Sequence, residues 1–196
     1  LAWDDATRDD LPGASHFCDA CAVQVPQTVD ATAPNPQMGE IGLPVDISHW
    51  RASWQAEVDG RGTSIQDYYP NAQIDYYPFT AAPLDASPEL QHAEEVRFSP
   101  ARAAENPVTS PRSSAVEDLV ATGPGSLTPA QTAVSQGAGR RTATGWEVVI
   151  TRPIPAGLTR DNQSVIAFAV WEGSSQETGS RKMRTAWIPL VFQQLP

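Results

Sequence analysis

The alternation of apolar and polar positions predicts a chain built mainly from β-strands. A strand end is expected within Leu1–Thr7, and fuller strands are expected at Phe17–Val25, Val45–Trp54, Thr144–Arg152, Ser164–Glu172 and Met183–Phe192. Prolines, glycines and polar residues bound each run, and the last three are expected to form an antiparallel series. In the second full strand, Val45, Ile47, His49 and Arg51 share one face, because side chains alternate along a strand.

One segment has helical signals. Ser114–Ala121 begins at a serine, carries acidic residues in its first turn and stops before Gly123. Glu57–Asn106 is the least regular region and contains two Tyr-Tyr-Pro strings, at 68–70 and 76–78, which favour packed loops. The pattern predicts an all-β, antiparallel immunoglobulin-like β-sandwich with long proline-rich loops and one or two short helices, as a single domain over 1–196.

Composition limits the function classes. The 196 residues carry 13 basic and 23 acidic side chains, a net charge of −10, so nucleic acid and anionic membranes are poor partners. No apolar run approaches the ~20 residues of a membrane span. The residues from Leu1 onward lack the basic start and apolar core segment expected of a signal peptide. Since the first residues resemble the middle of a strand, we expect the chain to start inside its domain.

Motifs for catalysis are missing, and the cysteines leave several options open. No nucleophile elbow, phosphate loop, dinucleotide fingerprint or His-Glu-x-x-His string occurs. Cys18 and Cys21 have a spacing compatible with a redox dithiol, half a zinc site or a disulfide. No second pair completes a zinc site, and Ala22 stands where covalent haem attachment needs histidine. Two buried strand residues are favoured, with a disulfide second. His49 is either a hydrogen-bonded strand residue or a metal or haem ligand.

Lys182 is the only lysine among the 13 basic residues. A neutral amine can coordinate a metal and a guanidinium cannot, so a lysine kept in an arginine-dominated chain suggests a ligand. The alternative is a solvated residue at the end of a hairpin.

Several strings occur in a fixed order along nearly the whole chain. They are Trp3-x-Asp5-x-Thr7, Phe17-x-Asp19-Ala20-x-Ala22-Val23-Gln24-Val25-Pro26, Met38-Gly39, Pro44-Val45-Asp46-Ile47-x-His49-Trp50-Arg51-Ala52, Asn106-Pro107-x-x-Ser110-Pro111-Arg112, Val116-Glu117-Asp118-Leu119, Gly145-Trp146-x-Val148-Val149-x-Thr151-Arg152-Pro153, Ala167-Phe168-Ala169-Val170-Trp171-x-Gly173 and Arg181-Lys182-x-x-x-x-Trp187. This series resembles the haem b-binding gamma subunits of the ethylbenzene dehydrogenase group, whose relatives serve dimethyl sulfide dehydrogenase, selenate and chlorate reductases and nitrite oxidoreductases.

The resemblance implies a β-sandwich with one non-covalent haem b, for which Met38 and Lys182 are the axial ligands. Only one other methionine exists, and Met183 is expected on the strand face opposite Lys182. A thioether suits a haem ligand, and a lysine must be deprotonated to bind iron, so the site should be dry. The alternative for Met38 is an apolar plug. The cysteine pair and a long 60–101 stretch depart from the family pattern, and the N-terminal part of the family domain is expected to be absent.

The resemblance also implies a non-catalytic electron-transfer subunit. Its partners would be a molybdopterin catalytic subunit and an iron–sulfur subunit, with electrons passing to or from a soluble cytochrome or quinone pathway. Nitrate or nitrite is the favoured substrate of the complex, and the location would be periplasmic or on the outer face of the cytoplasmic membrane. The alternatives are a carbohydrate-binding module, given the six tryptophans, and a haem-free structural subunit.

Overall fold

The computed structural model describes residues 1–13, 16–29, 32–73, 81, 83–84, 86–97 and 112–192. They belong to two compact units: Leu1–Gln55 with Ser114–Pro196, and Ala56–Ser113. The described strands are β1 (Ala2–Asp4), β2 (Ala20–Pro26), β3 (Val45–Arg51), β4 (Val116–Ala121), β5 (Thr128–Pro129), β6 (Gln136–Arg141), β7 (Gly145–Thr151), β8 (Ser164–Trp171), β9 (Met183–Arg184) and β10 (Ile188–Leu190).

The first unit contains two antiparallel sheets. The larger has seven strands in the order β10-β8-β2-β3-β4-β5, and β9 also pairs with β8. The smaller has the order β1-β7-β6. Strand β2 lies centrally between β3 and β8, and Ala22 is opposite both His49 and Ala169. All ladders are antiparallel, which confirms the predicted sheet type.

An apolar core lies between the two sheets. Trp50 of β3 contacts Trp146 of β7 with ring centroids 5.2 Å apart, and it meets Trp3 at 6.2 Å. Cys21 and Val148 belong to the same buried cluster. Since one face of each sheet is buried against the other, the predicted β-sandwich is confirmed.

A glycine allows the smaller sheet to approach closely. A Cβ at Gly139 in β6 would lie 2.3 Å from the Trp50 ring, a distance that atoms cannot adopt. Gly139 N donates to Gln55 Oε1 at 2.8 Å, and the same oxygen accepts from Trp50 Nε1 at 3.3 Å. Position 139 of β6 therefore requires glycine, because the Trp50 indole lies directly beneath it.

The α-helices are short. Helix α1 (Ala52–Val58) directly follows β3 and begins in the first unit, whereas α2 (Ile65–Tyr68) and α3 (Pro88–Arg97) belong to the second unit. Helix α2 begins with a capping box in which Ser64 and Asp67 each accept the other's backbone N–H. The described part thus has three α-helices and a 3-10 helix at Gly173–Ser175, against the one or two helices predicted. The second Tyr-Tyr-Pro string lies outside the described residues.

Several element predictions were wrong. Ser114–Ala121 is not a helix, because Val116–Ala121 forms β4 between β3 and β5. The Ser114 hydroxyl accepts from Val116 N, two residues on, instead of capping a helix. The glycine-rich connection contains β6, and β7 pairs with β1 and β6 in the other sheet, so the last three predicted strands are not one antiparallel series. Among the described residues, no helix has the length and apolar character needed to cross a bilayer.

Candidate functional site

A cleft of about 720 Å³ opens on the face of the large sheet that points away from the inter-sheet core. Its floor is formed by alternate residues of neighbouring strands, as strand geometry requires. These residues are Ala20, Ala22 and Gln24 of β2, Ile47, His49 and Arg51 of β3, Leu119 of β4, and Ala167, Ala169 and Trp171 of β8. The predicted sharing of one face by Ile47, His49 and Arg51 is confirmed.

Small side chains create the depth of this cleft. Ala22 and Ala169 are direct cross-strand neighbours, and Gln24 faces Ala167 two residues further along the strands. An alanine projects only a methyl group from the sheet, so adjacent alanines leave space that valine or leucine would fill. The result is a flat apolar floor with larger side chains at its margins.

Met38 lies on a loop at one side of the cleft and packs against the apolar floor. Its backbone φ is 70°, in the left-handed region that residues with a side chain rarely occupy, and Gly39 follows with a φ of 76°. Such a conformation persists only where its surroundings fix it, and it often marks a functional position.

Hydrogen bonds fix this loop at several points. The Met38 carbonyl accepts from Gly123 N at 2.8 Å. Trp187 Nε1 donates to the Pro34 carbonyl at 2.6 Å, and Gln24 Nε2 donates to the Pro36 carbonyl at 3.3 Å. The loop is thereby attached to the turn after β4, to the segment before β10 and to the cleft floor.

Lys182 lines the same cleft from the turn before β9 and is half-buried. Its Nζ donates to the Gly179 carbonyl at 3.0 Å and lies 4.9 Å from the centre of the Trp171 ring. Burial, assisted by the nearby charge of Arg184, lowers the pKa of the Lys182 amine. Lys182 therefore loses its proton more easily than a solvated lysine does.

His49 of the cleft floor lies among aromatic rings. Its imidazole lies 5.1 Å from Trp171 and 5.4 Å from Trp54, measured between ring centroids. Trp171 thus touches both His49 and Lys182. The guanidinium groups of Arg51 and Arg184 also line the cleft, and Glu177 is its acidic side chain.

The two curated relatives compared with the chain both align over 98% of its length. One is "Chlorate reductase subunit gamma" of Ideonella dechloratans, 37% identical over 200 residues. The other is "Putative respiratory nitrate reductase heme subunit ORF7" of Haloferax mediterranei, 25% identical over 205 residues. These similarities confirm the predicted resemblance, although no protein-family model matches the chain. The chain spans 58% and 50% of the two relatives' own lengths.

The site predicted from sequence consists of two residues, and the structure places both on one cleft. Met38 and Lys182 both line it, whereas Met183 is 61% exposed, pairs with Val170 and is not among the lining residues. The residues that sequence reasoning missed are Trp171, which contacts Lys182, and the alanines of the floor. Small residues recurring at every second position of β2 and β8 were the available signal.

Both cysteines are buried free thiols, as favoured from sequence, but only Cys21 lies in a strand, because Cys18 precedes β2. Cys18 lines the cleft, whereas Cys21 belongs to the inter-sheet core. Burial raises the pKa of Cys18 to about 11 and that of Cys21 to about 12. Both thiols are therefore poor nucleophiles at neutral pH.

Proposed function

We propose that the chain is an electron-transfer subunit that holds one haem b in the cleft, with Met38 and Lys182 as axial ligands to iron. One observation carries the proposal: a thioether and the only lysine of the chain, far apart in sequence, line the same apolar cleft. The haem-subunit and gamma-subunit relatives support it.

The residues present fit this cofactor. A volume of about 720 Å³ lies within the range of roughly 300–1,000 Å³ typical of small-molecule sites. The alanine floor offers an apolar surface to a flat macrocycle. The guanidinium groups of Arg51 and Arg184 are suited to propionate carboxylates, since arginine pairs with them in a bidentate manner.

The chain's own residues prepare the two ligands. The loop bonds at Pro34, Pro36 and Met38 hold the thioether in place. Lys182 would have to release the Gly179 carbonyl and lose its proton, and its lowered pKa reduces the cost of that proton loss. A haem with two protein ligands supplies one-electron transfer when bound, with a potential that a methionine ligand raises.

The wider assembly is also proposed. The names of the relatives favour a reductase of nitrate or chlorate, and nitrite oxidation remains within the same proposal. In such a complex this chain would be non-catalytic and would exchange electrons with an iron–sulfur subunit that serves a molybdopterin subunit, in the periplasm or on the outer face of the cytoplasmic membrane. The net charge of −10 would speed the encounter with a basic soluble cytochrome in a salt-dependent way.

Haem reconstitution of the purified chain tests the cofactor and its ligands. The wild type should develop a Soret band and, after reduction, a sharp α band. Lys182→Gln and Met38→Leu should each change these bands and weaken haem binding. Arg181→Gln and Met183→Leu are matched controls, because they alter the neighbouring exposed cation and the exposed methionine and should leave the spectrum unchanged. A wild-type chain that takes up no haem would end the proposal, and ligand variants with a wild-type spectrum would reject the axial pair.

A further inference from the structure

Three carboxylates from separate segments of the first unit converge outside the cleft. Asp5 follows β1, Asp19 precedes β2, and Glu172 follows β8. One oxygen of each lies within 4.8 Å of the others. The side chain of Asp19 is 0% exposed and that of Asp5 is 5% exposed, so this concentration of negative charge is largely withdrawn from water.

The carboxylates of Asp19 and Glu172 accept hydrogen bonds, but no positively charged group donates them. Asp19 Oδ2 accepts from Trp146 Nε1 at 2.9 Å and from Asp9 N at 3.0 Å, and its Oδ1 accepts from Gly173 N at 3.0 Å. Glu172 Oε1 accepts from the N–H and hydroxyl of Ser174. All of these donors are uncharged. They orient the carboxylates, and they leave the mutual repulsion of the cluster in place.

Asp5 is the side chain whose bonding is incomplete. Its Oδ1 accepts from Thr7 N at 2.8 Å, but its Oδ2 is buried and receives no hydrogen bond from the described residues. Buried oxygens of this kind are rare, because an unsatisfied buried carboxylate is costly. In the part of the chain that is described, none of the three carboxylates forms an ion pair. The nearby Arg141 donates Nη2 to the backbone carbonyl of Asp5 instead.

We propose that Asp5, Asp19 and Glu172 form a binding site for a hard divalent cation, with Ca²⁺ as the favoured ion. The donor set contains only oxygen, which selects Ca²⁺ or Mg²⁺ over softer metals. A divalent ion would offset the repulsion among the carboxylates and supply the missing partner of Asp5 Oδ2. Ca²⁺ is favoured because these oxygens come from three segments and already carry hydrogen bonds, and Ca²⁺ accepts irregular coordination whereas Mg²⁺ requires a near-ideal octahedron.

The bound cation would fasten three distant parts of the unit. It would join the segment after β1 to the start of central strand β2 and to the end of β8, from which the chain continues to Gly179 and Lys182. The site is therefore structural, and it does not depend on whether the cleft holds haem.

Thermal unfolding of the full chain, treated with chelator and then titrated with CaCl₂, tests this site. At about 100 times the dissociation constant, Ca²⁺ should raise the Tm of the wild type by roughly 5–10 °C. Asp5→Asn should abolish the rise, whereas Asp4→Asn, which changes the exposed neighbouring carboxylate, should retain it. Tb³⁺ provides a second readout, because Trp146 bonds to Asp19 and should sensitise Tb³⁺ emission in the wild type and not in Asp5→Asn.

Each other outcome decides against the site. A wild-type Tm that does not respond to Ca²⁺, with no sensitised Tb³⁺ emission, would show that the cluster holds no cation. If Asp5→Asn simply raises the Tm while the wild type ignores Ca²⁺, the carboxylates share a proton instead. A stronger response to Mg²⁺ than to Ca²⁺ overturns the choice of ion.

Should Asp5→Asn not fold, Glu172→Gln serves in its place, because the amide oxygen of this variant can still accept from Ser174 while the side chain carries no charge. An unchanged Ca²⁺ response in Glu172→Gln would reject the site.

Discussion

The indole N–H of Trp171 and the amine of Lys182 donate to the same acceptor, the carbonyl oxygen of Gly179, at 3.1 and 3.0 Å. Gly179 has a φ of 57°, so the turn relies on a residue that tolerates the left-handed region. One carbonyl thus fixes the orientation of Lys182 relative to the aromatic ring beneath it. Trp171 is a positioning residue in this arrangement.

Trp171→Phe should loosen the Gly179 turn while keeping an aromatic ring beside Lys182. Loss of one partly exposed hydrogen bond should lower the free energy of unfolding by about 0.5–1.5 kcal/mol. Haem affinity should fall as well, because the turn that carries Lys182 is less well fixed. Denaturant unfolding and haem titration measure the two effects. A variant that matches the wild type in both would show that the shared carbonyl has no positioning role.

Ala169→Leu should fill the cleft from its floor. The added side chain would occupy the space above Ala22, so haem uptake should be lost while the haem-free chain remains folded. Absorption after reconstitution measures uptake, and circular dichroism confirms folding. Ala186→Leu, at an exposed position outside the cleft lining, is the matched control. Normal haem uptake by Ala169→Leu would mean that the cofactor does not lie on this floor.

Asp118 should make stability depend on pH in the acid range. Burial alone would raise the pKa of this carboxylate, but bonds from Ser135, Val134 and Ser48 hold the pKa below its ordinary value. A group with a depressed folded-state pKa stabilises the protein above its unfolded pKa of about 3.9, and that contribution is lost as pH falls through the folded value.

Asp118→Asn should therefore be less stable than the wild type at pH 7 and should approach it in stability below about pH 4. Urea unfolding at a series of pH values measures the difference. Asp4→Asn, at an exposed position of β1, should show no such convergence. A constant difference between Asp118→Asn and the wild type from pH 7 to pH 3 would contradict the assignment.

Gly139→Ala should destabilise the sandwich, because its Cβ would overlap the Trp50 ring at 2.3 Å. Overpacking of this kind typically costs about 1–3 kcal/mol, measured here as a fall in Tm. Ala138→Ser changes the residue just before Gly139 in β6. This position is exposed, so the Tm should stay nearly unchanged. Equal Tm values for Gly139→Ala and the wild type would show that the sheets can separate without cost.

The sequence reveals strands well where the apolar pattern is strong and poorly where tertiary contacts decide. β3 and β7 alternate, β2 and β8 are nearly continuous apolar runs, and all four were predicted. Val116–Ala121 has local helical signals, but pairing of Leu119 with Ile47 makes it a strand. β6 was missed because its glycines indicate a loop, whereas distant residues require them: the Trp50 ring at Gly139 and Val116 at Gly137. Helix α3 is largely polar and lacks the apolar periodicity that would reveal it.

The candidate site, too, could be predicted from sequence only in part. Met38 and Lys182 could be named from sequence, because rare residue types and ordered motifs single them out. The alanine floor could not, since it depends on the register that places Ala22 beside Ala169. Likewise, Asp5 and Glu172 are ordinary acidic residues in sequence, and only the fold brings them to Asp19.

The central position of β2 makes the cleft depend on contacts between distant parts of the sequence. One of the two neighbours of β2 is β8, and the Trp187 bond that braces the Met38 loop spans 153 positions. Contacts so distant in sequence form late and slow the folding of β-proteins. The cleft is therefore expected to be among the last parts of the first unit to form during folding.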